Sequence, residues 1–254
     1  MSGEHLRHHV SDDGAVHTLT MDKQPGNVID IALCRELAAA LPEAAGEPDA
    51  KVLVLRGAGK NFCFGASVEE HLPETAPAML RAVGDVVRGL IRFPYPTIAG
   101  IQGRCLGGGL DLALSCGIVI AEDEAILGAP EIRLGVFPPP VTALLMGRAA
   151  EEVILTGRDL TASEARDLGI VNRVVGTGTL DGSIDEYTAT HFASRSAASL
   201  RIATRAVREG RRLEVEQRLA AAEALYVDEL LALHDGSEGI RAFMEKRPPQ
   251  WKNS

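Results

Sequence analysis

The sequence predicts an α/β protein of layered strands and helices, and three observations carry that prediction. Strand patterns alternate with helix patterns along the first two thirds of the chain, the order that packs helices on a mostly parallel sheet through right-handed crossovers. Hydrophobic residues make up 46% of the chain and aromatics only 4%, which gives an Ala/Leu/Val interior. The 254 residues suffice for a sizeable core in one large domain, with or without a smaller appendage.

Residues 15–21 alternate in polarity and carry β-branched side chains, as a half-buried strand does. Pro25-Gly26-Asn27 breaks the pattern before an amphipathic helix over 31–45. The run KVLVLR at 51–56 is short, apolar and bounded by glycines, the mark of a strand buried on both faces. Residues 57–70 are rich in glycine and small side chains and suit a ligand loop. A helix over 76–93 stops at Pro94 and Pro96. Strands over 97–102 and 117–121 flank a further helix that follows Gly107, Gly108 and Gly109. Past Pro140 the pattern turns helical, over 141–155 and 163–168, then after a short strand at 170–175 over 181–209 and 213–233. The tail KRPPQW sets cations beside an aromatic, and a loose terminus is one reading of it.

A formal charge of −9 disfavours a nucleic-acid or anionic-membrane surface. Cys34, Cys63, Cys105 and Cys116 are widely spaced, with no C-x-x-C pair and no His cluster at ligand spacing, so reduced thiols and no metal are expected. The polar N-terminus lacks the apolar stretch of a secretory signal, and no run approaches the length of a bilayer span. A cytoplasmic location is the expectation.

The glycine run is the strongest chemical signal. Glycines at a strand-to-helix junction let backbone amides approach a ligand closely, and the first helical turn adds unpaired N–H groups and the positive end of the helix dipole. A phosphate, a carboxylate or a developing oxyanion suits that place. The run fails as a dinucleotide fingerprint, because the third glycine position falls on Leu112. Gly57-Ala58-Gly59-Lys60 fails as a phosphate loop, because Asn61 follows the lysine. Alone, the three glycines also fit a tight turn with close packing.

Five ordered blocks decide between these readings: NFCFGASVEEH, GRCLGGGLDLALSCGIVIA, LGAPEIRLGVFPP, LTGRDLTASEARDLGIVNRVV and EGIRAFMEKRPPQW. In order and spacing they resemble the crotonase superfamily. The resemblance implies a crotonase-like core of repeated ββα units over 1–195, a helical region over 196–254 that forms a homotrimer or a dimer of trimers, and acyl-CoA thioester substrates. By position, it makes Ala66 and Gly108 the two backbone donors of an oxyanion hole, and Glu131 and Asp111 the acid/base pair of a hydratase. Backbone contacts to coenzyme A are implied from Phe64, Ala66 and Val68, with Phe243 and Lys246 contributing near the C-terminus, in some members to a neighbouring subunit.

Elementary chemistry agrees. A thioester carbonyl gains negative charge as the carbons beside it become an enolate, and preorganised N–H donors stabilise that species above the ground state. Hydration needs one group to deprotonate water and another to protonate carbon, and two carboxylates divide that work. No electrons change hands, so coenzyme A enters as part of the substrate and no further cofactor is expected.

Two departures from hydratases of straight-chain substrates stand out. Asp111 replaces the usual glutamate, which withdraws the carboxylate by roughly 1.5 Å. The segment Phe137-Pro138-Pro139-Pro140 replaces a glycine-rich helix entry, removing donors and adding bulk at the acyl pocket. With GASVEEH, these features look most like the hydratases of cyclic dienoyl-CoA thioesters. His71 suits either the pocket wall or a solvated helix start, and Ser67 has no evident histidine for a nucleophilic triad. A crotonase-fold isomerase, decarboxylase or thioesterase remains as an alternative, as does a silent acyl-CoA-binding assembly protein.

Overall fold

The computed structural model describes residues 3–254. Its main sheet has six strands in the order β1-β2-β3-β4-β6-β9. Strands β1 (Leu6–Val10) and β2 (Val16–Met21) pair antiparallel. Every other neighbour in this sheet is parallel: β3 (Val52–Gly57), β4 (Thr97–Ile101), β6 (Ile118–Glu122) and β9 (Arg173–Val175). A second sheet of three short strands joins β5 (Arg104–Leu106), β7 (Ile126–Gly128) and β8 (Asp159–Thr161). Each of β4 and β6 thus hands the chain to a short strand of the second layer, giving repeated ββα turns.

The pleat of β3 shows why its sequence is apolar throughout. Leu53 and Leu55 enter the main core with Leu33 and Leu37 of helix α1 (Ile31–Gly46) and Val83 and Val87 of α2 (Ala76–Ile91). Val52 and Val54 face the other way, onto Ile98, Ile120, Leu180 and Ile184. Both faces are covered, so alternation disappears.

Helix α3 (Gly108–Ser115) follows the glycines, and α4 (Pro139–Leu144), α5 (Arg148–Thr156) and α6 (Ala162–Asp167) follow in turn. The single helix expected over 141–155 is therefore two, because Gly147 turns the chain at φ 70. The expected helices over 181–209 and 213–233 are divided elsewhere too. Helix α7 (Leu180–Thr188) ends early, Ser196 caps a new start by accepting from Ser199 N, and α8 (Ala197–Ala224) runs unbroken through Gly210. One interior glycine costs only about 1 kcal/mol, which a helix of 28 residues absorbs.

Strand β1 carries no strand pattern of its own and exists because β2 pairs with it, with His8 Nε2 and His17 Nδ1 3.0 Å apart across the ladder. The tail is docked, which corrects the loose-terminus reading. Arg247 forms a fork on Glu238 of α9 (Asp235–Met244), Gln250 N donates to the same carboxylate, and Lys252 N and Asn253 N donate to Asp235. The Trp251 ring lies against Gly135 and Gly239, where any side chain would displace it. Among the described residues no helix is long and apolar enough to cross a membrane.

Candidate active site

The loop after β3 is stitched along β5. Phe62 N donates to Gln102 O, Cys63 N to Arg104 O, and Leu106 N back to Cys63 O. On its other side Ile29 N donates to Gly65 O and accepts, through its carbonyl, from Ser67 N. In that parallel pattern the intervening Ala66 amide points away from Ile29. It points toward α3: a Cβ built on Gly108 would lie 2.9 Å from Ala66 N. Neither Ala66 N nor Gly108 N has an acceptor among the described residues. Two free amides therefore stand together at the N-terminus of α3, where the helix dipole favours negative charge.

Each of the three glycines is set by what it touches. Gly107 takes φ 48 and donates its N–H to Gly128 O, and a Cβ there would lie 2.0 Å from Glu131 Oε1. Gly108 makes room for Ala66, and Gly109 for Cys63, whose carbonyl oxygen would meet its Cβ at 2.9 Å. The run is thus the meeting point of the loop, the helix and Glu131.

Glu131 is the second residue of the 3₁₀ turn Pro130–Leu134 that follows β7. Its Oε2 is buried with no protein partner among the described residues, and burial pushes the carboxyl up to about 7. Asp111 lies in the first turn of α3 and is 4% exposed. Burial, then the charge of Glu131, raises its pKa well above the carboxylate range, opposed by one hydrogen bond from Val141 N at 2.8 Å. That bond explains the proline segment. Pro139 and Pro140 have no N–H, so Val141 carries the first amide of α4, and Asp111 Oδ1 accepts it. The two acids lie in one buried site, where the charge of Glu131 adds to burial in disfavouring ionisation of Asp111.

The enoyl-CoA hydratase/isomerase family model matches residues 11–254. The chain belongs to the enoyl-CoA hydratase/isomerase family. It is 36% identical over 245 residues to a cyclohexa-1,5-dienecarbonyl-CoA hydratase of Thauera aromatica, covering 95% of this chain and 94% of that protein. It is 34% identical over 251 residues to a probable enoyl-CoA hydratase of Mycobacterium tuberculosis, covering 95% and 96%. Among solved structures, a probable enoyl-CoA hydratase from Mycobacterium smegmatis superposes with a TM-score of 0.77 at 31% identity, covering 98% of this chain and 100% of that one. The crotonase-like fold and the acyl-CoA hydro-lyase class implied by the five sequence blocks stand with this membership.

Within this family member, the residues expected to meet coenzyme A are differently committed. Phe64 N is used by Gly26 O, and its half-exposed ring covers Gly26, so its free main-chain group is the carbonyl. The Val68 carbonyl accepts from His71 N. Phe243 and Lys246 are exposed at the end of α9, which packs on the turns Glu69–His71 and Pro130–Leu134. His71 is partly buried: its Nδ1 lies 2.7 Å from Ser67 O, and burial lowers its pKa. Ser67 meets it through the carbonyl and not the hydroxyl.

Two residues of the site carry no sequence signal that points to it. Asn27 is fully buried at φ 51 and donates to the carbonyls of Ala58, Asn61 and Phe62, holding the loop that presents Ala66. Its place in Pro-Gly-Asn marks a turn, since asparagine tolerates the left-handed region, but the reach of its side chain is a tertiary fact. Tyr226 is the other, a buried phenol in the helical C-terminal region whose ring meets Phe137 edge-on at 5.4 Å between centroids.

Proposed function

We propose that the protein adds water to a cyclic dienoyl-CoA thioester, using Ala66 and Gly108 amides as the oxyanion hole and Glu131 and Asp111 as the acid/base pair. The observation that carries this is the buried carboxyl pair beside two unpartnered amides. Glu131 Oε2 takes a proton from water as its oxygen bonds to the unsaturated carbon. The electron pair moves onto the thioester oxygen, where two amides receive it. The enolate then collects a proton at carbon from Asp111, whose burial favours its protonated form, and the proton on Glu131 returns to Asp111 to reset the pair.

Three features support a ring acyl group. Asp111 is short and tied to Val141, the proline segment adds bulk beside it, and the Thauera relative is named for a ring substrate. A turnover panel tests this: conjugated absorbance is followed for crotonyl-CoA and for cyclohexa-1,5-diene-1-carbonyl-CoA. The ring thioester is expected to react with the higher kcat/KM, and preference for crotonyl-CoA would overturn the ring assignment. Asp111→Asn retains an acceptor for Val141 N but has no proton to exchange, so hydration falls by about 10²- to 10⁴-fold. Unchanged hydration in that variant, with proton shuffling between carbons, would favour an isomerase acting through Glu131 alone.

Phe64, Ala66 and Val68 main chain, with Phe243 and Lys246, are assigned to coenzyme A, the lysine as a mobile charge for phosphate. Residues 196–254 are assigned to trimer formation, supported by the exposed apolar Ile202, Val207 and Leu213 along α8.

A further inference from the structure

Two buried polar atoms near the acids have no protein partner among the described residues: Glu131 Oε2 and the Tyr226 hydroxyl. Tyr226 stands in Leu225–Glu229, where the end of α8 widens into a π-turn, a distortion that often accompanies function. One segment links Tyr226 to both acids. Glu131 opens that segment, with its carbonyl accepting from Val136 N; Phe137 within it packs on the Tyr226 ring; and Val141 closes it by donating to Asp111. Burial, then the neighbouring Glu131 charge, raises the phenol pKa, so the hydroxyl stays a donor throughout the neutral range.

The two orphan atoms are complementary. An ionised carboxylate oxygen only accepts, while a phenol hydroxyl donates. Leaving both unpaired in a buried site costs stability. A water molecule between them would satisfy both, accepting from the phenol through its oxygen and donating one of its protons to the carboxylate.

We propose that Tyr226 is a third catalytic residue, whose hydroxyl donates to the oxygen of the water that Glu131 deprotonates. This rests on the hydratase reading above. The phenol keeps its proton throughout. Its hydrogen bond strengthens as the water oxygen gains negative charge, and persists to the hydroxyl of the product after the carbon–oxygen bond has formed.

Tyr226→Phe in the full-length protein tests the proposal, because it removes one oxygen atom and keeps the ring packed on Phe137. Hydration kcat is expected to fall about ten- to a hundredfold, as for loss of a hydrogen bond to a developing charge, with KM within about twofold. Exchange of the carbon-bound proton of butyryl-CoA in D2O, which needs the enolate but no added water, is expected to continue at the wild-type rate. The limb of the pH profile set by Glu131 is expected to stay in place, and the thermal midpoint to hold or rise. Wild-type hydration by the variant would overturn the proposal and leave the hydratase reading intact. An equal fall in hydration and exchange, or a lowered midpoint, would mean a structural role and overturn it too. A limb moved to higher pH would mean that the phenol donates directly to Glu131, also against it. If wild-type protein exchanges the butyryl-CoA proton but hydrates neither enoyl thioester, the hydratase reading itself fails.

Discussion

Glu131→Gln is expected to lower hydration by at least about 10³-fold while leaving affinity for the thioester within a few fold. Glutamine keeps the size and one acceptor of the glutamate but takes no proton from water. Wild-type-like turnover by this variant would remove Glu131 from the mechanism. In the wild type, the rate is expected to rise with pH through about 7 as burial-raised Glu131 ionises. The same shift governs stability. Glu131 has a folded value near 7 against an ordinary 4.5, so the fold favours the protonated form. Its contribution to stability is whole below pH 4.5 and is lost as pH rises through 7. Glutamine does not titrate. Denaturant unfolding of both proteins is therefore expected to show the variant gaining on the wild type by up to about 3 kcal/mol between acid and pH 8. A stability difference independent of pH would show that the carboxyl is not held in a low-dielectric site.

Gly108→Ala is expected to cost about 10²- to 10³-fold in kcat, the loss found when one donor of an oxyanion hole is removed. The new Cβ would stand 2.9 Å from Ala66 N and 3.3 Å from its Cβ, closer than a backbone atom tolerates, so the loop must move and the paired amides separate. Gly108 lies in α3 without a left-handed φ, so the helix itself accepts alanine. Far-ultraviolet circular dichroism is expected to match the wild type while turnover falls. Turnover within about threefold of wild type would mean that the amides do not act together. Gly107 is a poorer test, because its φ of 48 and the nearby Glu131 Oε1 make any substitution there disturb the fold and the acid at once.

How much of this was legible in the sequence depends on the range of the forces involved. The four longer parallel strands, β2, β3, β4 and β6, and helices α1 and α2 follow from local periodicity, because covered sheets and amphipathic helices write their burial into neighbouring residues. Strands β5, β7 and β8 have three residues each, too few to show a period, and β1 is a strand only because β2 is beside it. The glycine run announced a close approach without naming its partners, which prove to be Glu131, Ala66 and Cys63. The proline segment announced missing donors, and the structure adds the reason they matter: they leave Val141 as the amide that Asp111 holds. Asn27 and Tyr226 were not legible. An asparagine in a turn and a tyrosine in a helix are ordinary residues until the chain brings the loop to one and Phe137 to the other. The docked tail was ambiguous for the same cause, since Glu238 and Asp235 become its anchors only once α9 is folded.

A crystal structure with a slowly reacting enoyl-CoA thioester bound tests the central claim most directly. The thioester oxygen is expected within about 3 Å of both Ala66 N and Gly108 N, with the unsaturated carbons facing Glu131 and Asp111. A thioester oxygen directed to solvent, or bonded to only one of the two amides with the acyl group away from both acids, would contradict it.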